Sequence, residues 1–248
     1  MKKFLGLIAI ILCLSCCSRF EENVYKTQLN NAEENFKHGN FSKAVEIYES
    51  LIQIEKVKNP YVYYNLSNAY YKNGNLGKAI LNSKKALKLM PRDKEIKNND
   101  NHLDGVLCQP QKKGLPYIIS QFFSLNEITT ISAIFLILLF IELSLLVIKN
   151  RLTSKKIVKM LTAVSIICVS FFILKFYNEI MLKEAVVLSR ASVKKDPDKS
   201  GLEISIIPEG KTVSVLSTIE NMSNIRVESE EGFITGWVES NVIGYING

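Results

Sequence analysis

Apolar residues along this chain fall into three patterns, each predicting a different kind of element. In Phe4–Leu14, Ile128–Ile148 and Ile157–Tyr177 they run almost without interruption. The second and third runs are about 20 residues long, which at roughly 1.5 Å of rise per residue matches a bilayer core. Membrane-spanning helices are therefore expected at 128–148 and 157–177. Between residues 22 and 108 the pattern predicts paired helices separated by Gly-Asn turns. From Lys183 onward the period falls to two: Thr212–Ile219 alternates around Val213 and Val215, and Asn224–Glu228 around Ile225 and Val227. That is the signature of half-buried strands. Turn signals at Asp196-Pro197, Pro208-Glu209-Gly210 and Glu231-Gly232 divide the tail.

The helical part repeats itself. Lys37-His38-Gly39-Asn40-Phe41-Ser42-Lys43-Ala44-Val45 aligns with Lys72-Asn73-Gly74-Asn75-Leu76-Gly77-Lys78-Ala79-Ile80 at an offset of 35 residues. Gly39 and Gly74 let the backbone reverse. Asn40 and Asn75 are suited to capping the helix that follows, and Ala44 and Ala79 are small where two helices approach. A further helix near Asp93–Leu107 would cover the end of the stack.

This unit resembles the tetratricopeptide repeat. In the second copy Tyr63, Leu66, Tyr70, Gly74, Ala79, Ala86 and Pro91 fall at the pattern's spacing, with departures at Ser67, where Gly or Ala is usual, and at Ser83, where an aromatic is usual. The first copy keeps Ala32, Gly39, Ala44 and Tyr48, with Asn31 in place of Leu. The resemblance implies a concave face lined by the first helix of each repeat. That face would present Leu29, Glu33 and Phe36, then Tyr61, Tyr64, Asn68 and Tyr71. Aromatic side chains beside a polar group suit an extended or helical peptide. The basic pattern of the carboxylate-clamp members is missing, so a C-terminal carboxylate is not the expected ligand. Two repeats and a cap fall short of the three usually needed for stability, so the module is expected to rely on a partner or on self-association.

The tail resembles bacterial SH3-like domains. The residues carrying this are Ile206-Ile207-Pro208-Glu209-Gly210, Val213-Ser214-Val215-Leu216, Ile225-Arg226-Val227 and Gly236-Trp237-Val238. The resemblance implies a small all-β barrel. Trp237 is then either part of its core or a contact for cell-wall material or peptide.

Charge and targeting signals place these parts. The 248-residue chain carries a net charge of +7. Six basic residues and one acidic residue lie in 128–177, and the tail from Asn178 is acidic. No basic face with interleaved aromatics appears, which argues against nucleic acid. Met1-Lys2-Lys3 followed by Phe4–Leu14 reads as an export signal. Cys13-Leu14-Ser15-Cys16 resembles a lipoprotein processing site with Cys16 acylated; a plain cleaved signal or an uncleaved anchor is the other reading. The turn Lys149–Lys156 holds four basic residues and no acid, which keeps such a loop in the cytoplasm. Both soluble parts are then expected outside a bacterial inner membrane, on the periplasmic side. Glu142 lies within the first apolar run; an intramembrane acid is a functional flag, against which stands pairing with Lys156 or Lys159.

The expected organisation is a signal at 1–17, a tetratricopeptide module at 22–108, an interfacial linker at 109–127, a first span at 128–148, a cytoplasmic loop at 149–156, a second span at 157–177 and an SH3-like domain at 183–248. In that order the parts resemble the BatE-type proteins of bacterial aerotolerance (Bat) operons. The resemblance implies a multidomain membrane protein that assembles with other Bat proteins, some with von Willebrand A-type domains, in contact with membrane lipids. It links the chain to aerotolerance or envelope stress. Peptidoglycan binding or sensing through the tail is the alternative. No nucleophile, acid–base pair or metal-ligand set appears around His38 and His102, so the expectation is a non-catalytic scaffold without a cofactor.

Overall fold

The computed structural model describes residues 24–55, 59–107, 125–148, 155–181, 183–198, 201–229 and 232–246. The signal with Cys16, most of the linker and residues 149–154 of the loop lie outside them. Among the described residues there are seven α-helices and seven strands: α1 (24–37), α2 (Phe41–Glu55), α3 (Pro60–Lys72), α4 (Leu76–Leu89), α5 (Lys94–Val106), α6 (Leu125–Ile148) and α7 (Lys155–Met181), then β1 (Lys183–Val187), β2 (Ala191–Lys194), β3 (Glu203–Ile207), β4 (Thr212–Ile219), β5 (Met222–Ser229), β6 (Gly232–Glu239) and β7 (Ile243–Tyr245).

The two repeats form α1–α2 and α3–α4, and both turn by the same device. Gly39 and Gly74 take φ of 81° and 83°. Asn40 N–H reaches back to the Asn35 carbonyl and Asn75 N–H to the Tyr70 carbonyl, both at 2.9 Å. This left-handed C-terminal closure satisfies carbonyls that the helix leaves free. Ala32, Ala44, Ala69 and Ala79 are fully buried where the helices cross, because only a methyl fits at close approach. The helix starts differ. Asn59 caps α3, its Oδ1 accepting from Tyr61 N–H at 2.9 Å with Pro60 following, and Asp93 Oδ1 caps α5 through Glu95 and Ile96 N–H. Asn75 makes no side-chain cap bond.

Both departures from the repeat pattern are occupied by a polar seam. Ser67 Oγ donates to the Ala79 carbonyl at 2.7 Å and accepts from Asn99 Nδ2 at 3.3 Å. Ser83 Oγ donates to Asp100 at 3.1 Å. Lys84 Nζ lies 3.4 Å from Asp100 and 3.1 Å from Asp104, and all three residues are buried. Where the pattern places an aromatic, this chain places a hydroxyl that holds the cap helix.

The sheet is antiparallel, in the order β3-β2-β6-β5-β4-β1-β7. The alternation foreseen in β4 and β5 is present: Val213, Val215, Ile225 and Val227 are buried together with Val193, Val238 and Ile243. The expected barrel is not. The sheet is open, with β3 and β7 as unjoined edges. Irregularities near Val193 and Val215 bend it, but β3 has only β2 as neighbour and three-residue β7 only β1, so closure fails.

The two apolar runs do become helices, α6 and α7, packed against each other. The spanning assignment is corrected: among the described residues no helix is long and apolar enough to cross a membrane. Polar residues interrupt the runs. Ser132 and Ser165 are buried, Ser132 Oγ donates to the Cys168 carbonyl at 3.4 Å, and Ser144 and Thr162 bond to carbonyls of their own helices. The two-span inner-membrane localisation, the compartment deduced from the basic loop and the lipid contact lose their basis with it. The Glu142 side chain lies outside the described residues. At its start α6 is tied to the repeat part by an ion pair between Glu127 and Arg92.

Candidate functional site

The residues expected on the binding face lie on the first helices of the two repeats, and the cap helix stands beside them. On α3, Tyr61, Tyr64, Asn68 and Tyr71 follow one another at three- and four-residue steps, which puts them in one stripe. Tyr61 is the most open of them, 49% exposed, its hydroxyl 3.5 Å from Asp93 Oδ2. Tyr64, Asn68 and Tyr71 are partly buried, and Asn68 makes no side-chain hydrogen bond among the described residues. On α1, Leu29 and Phe36 lean against the repeat core, with Phe36 edge-on to Phe41 at 5.4 Å. Glu33 is partly buried beside them.

The sequence reading weighed His102 only for catalysis and metal binding and left it off this face. It stands exposed on α5 and meets Tyr71 edge-to-face, ring centroids 5.7 Å apart. The signal was present: Glu33, Asn68 and His102 are separated by 35 and 34 residues, so they hold equivalent positions on successive first helices. Asn65 was also missed, and Tyr48 was named only as a position of the repeat pattern. Burial, and then the charge of Glu33, push the Tyr48 hydroxyl up to about 12, while a hydrogen bond with Asn65 works the other way. Tyr70 is raised by burial and by its contact with Glu49, which accepts from its hydroxyl. Tyr63 is raised by burial.

The second helix of the second repeat, α4, is covered by the sheet. Val186 and Ile246 join Ile80 and Leu81 of α4 in one core, with Leu188 packed against it. Strand β1 is therefore buried on both faces, Ala185 and Val187 toward the sheet core and Val186 toward α4. Glu209, in the turn before β4, accepts from Gly77 N–H at 2.6 Å, supplying the cap that Asn75 does not. A Cβ on Gly77 would stand 2.7 Å from the Val187 carbonyl oxygen and 2.8 Å from Leu188 Cα; neither backbone atom can move aside.

Trp237 belongs to none of the buried clusters. It is partly buried on the outer sheet face, opposite Lys194 and Asn224. Among the described residues no cluster of metal-ligating side chains is present.

A short stack of helical hairpins with an aromatic stripe along its first helices has the architecture of a protein-interaction module. The comparison with family models agrees: the tetratricopeptide repeat model matches residues 60–93, which are α3, α4 and the turn into α5. The chain thus carries a tetratricopeptide repeat, a scaffold for protein–protein contact. No curated protein matches the chain. The match does not extend to the sheet or to α6 and α7, so neither the SH3-like nor the BatE-type resemblance gains support from it.

Proposed function

We propose that the protein is a non-catalytic scaffold that takes a protein partner on the face formed by Leu29, Glu33, Phe36, Tyr61, Tyr64, Asn68 and Tyr71. The observation that carries this is the continuous stripe from Tyr61 to Tyr71, joined by His102, on helices other than the sheet-covered α4. Tyrosines supply large contact area at low entropic cost, and the Asn68 amide offers a donor and an acceptor together. A photo-crosslinker at Tyr64 or Tyr71 in the full chain should capture a discrete protein under native expression. A control at exposed Lys78, on the other helix of the repeat, should not. Equal capture at all three positions, or none, would remove the reading.

The BatE-type resemblance names von Willebrand A-type Bat proteins as partners in an aerotolerance complex. Of its parts the helical repeat is supported and the membrane spans are not, and the comparisons lend the assignment no support.

A second reading concerns Trp237, partly buried and the cross-strand partner of Asn224. An aromatic plane flanked by an amide suits cell-wall saccharide or peptide. The full chain should then co-sediment with sacculi and Trp237→Ala should not; indifference to the substitution would end this reading.

A further inference from the structure

Three first helices cross the open face, and one position on each carries a different polar group: Glu33 on α1, Asn68 on α3 and His102 on α5. Packed helices lie about 8–10 Å apart, and three residues of extended chain span about 10 Å. An extended peptide laid across the helices therefore meets one member of this row about every third residue. A helical peptide rises only about 1.5 Å per residue and would need roughly twice as many residues for the same step. The row thus fits an extended chain.

The Glu33 end of the row is acidic and incomplete. Its carboxylate is partly buried and makes no ion pair among the described residues. Lys37, one turn further along α1, is exposed and makes no ion pair with it. The group on which its charge is seen to act is the uncharged Tyr48 hydroxyl, itself hydrogen-bonded to Asn65. A guanidinium or ammonium from outside would give this carboxylate a charge-assisted hydrogen bond.

We infer that the partner engages this face through an extended segment bearing an Arg or Lys that pairs with Glu33, while its main chain hydrogen-bonds to Asn68. This rests on the proposed binding face and adds the chemistry of what binds there. Asn68 accepts and donates at the same time, as a peptide unit does, so its contribution is independent of the partner's side chains. Glu33 selects among segments.

The test uses the full chain and arrays of short synthetic peptides, first to find a binder and then to vary it. For the best binder, fluorescence polarisation compares the peptide with its Arg or Lys against the same peptide with norleucine there. The basic form should bind about tenfold tighter, as for a charge-assisted hydrogen bond. Glu33→Gln, which keeps shape and removes charge, should bring that ratio to about one. Asn68→Ala should weaken both forms by a similar factor, and Lys37→Met should leave the ratio in place. If Glu33→Gln leaves the basic preference intact while Tyr64→Ala or Tyr71→Ala abolishes binding, the inference falls and the binding face stands. If no peptide binds and crosslinking from Tyr64 captures nothing, the binding face itself fails and the inference with it.

Discussion

Tyr48 shows how one side chain serves both stability and the groove. It is 1% exposed in the repeat core, yet its hydroxyl reaches Asn65 and feels Glu33. Its folded value of about 12 exceeds the ordinary 10.0. Between those values the folded chain keeps a proton that the unfolded chain has lost, so stability is intact below about pH 10 and falls as the pH rises toward 12. The loss from this residue across the window is on the order of 2 kcal/mol. Urea titrations at steps from pH 9 to 12 should show the decline, and Tyr48→Phe should flatten it, with Tyr70 supplying the residual slope. A Tyr48→Phe chain with the parent's slope would contradict the assignment.

At the scale of elements, the seam between α4 and α5 decides whether the stack has a cap. Lys84 faces two buried carboxylates, Asp100 and Asp104. Removing one member of a buried ionic cluster leaves the others uncompensated, which costs about 3–5 kcal/mol. Lys84→Met should lower the urea midpoint accordingly and raise hydrogen exchange in α5 before α2. The conservative Ser83→Ala deletes only the hydroxyl bond to Asp100 and should cost about 1–2 kcal/mol. If Lys84→Met proves neutral, the cap helix is held by its apolar contacts, Ile96 and Leu103, instead.

For the whole molecule, the decisive contact is the sheet on α4. Two repeats and a cap were expected to need help, and the help is internal: β1, β7 and the Glu209 turn form the missing layer. Gly77 makes this testable, because at an exposed helical site Ala would be favoured over Gly by up to about 1 kcal/mol. Here Gly77→Ala should destabilise the full chain, since the new methyl meets the Val187 and Leu188 backbone. Calorimetry should resolve a single transition into two. In the first repeat the equivalent residue is Ser42, exposed and bonded to Asn73, and Ser42→Ala should leave the transition single. A stabilised Gly77→Ala chain would show that the sheet does not dock in solution as it does here.

The amino-acid sequence by itself determined the helical hairpins, the cap helix, the two apolar helices and strands β4 and β5. Gly39 and Gly74 mark both reversals, the 35-residue offset sets both hairpins, and period-two alternation sets β4 and β5, because these signals depend on residues close together in the chain. It also carried the stripe on α3, since helical spacing alone aligns Tyr61, Tyr64, Asn68 and Tyr71. Tertiary structure decided the rest: that Ser67 and Ser83 serve a buried seam, that Glu209 caps a helix 132 residues away, that His102 joins the face, and that the sheet stays open. It also overturned the membrane spans, which apolar run length had suggested. Each depends on partners far apart in the chain, and local periodicity says which face of an element is apolar but not what will cover it.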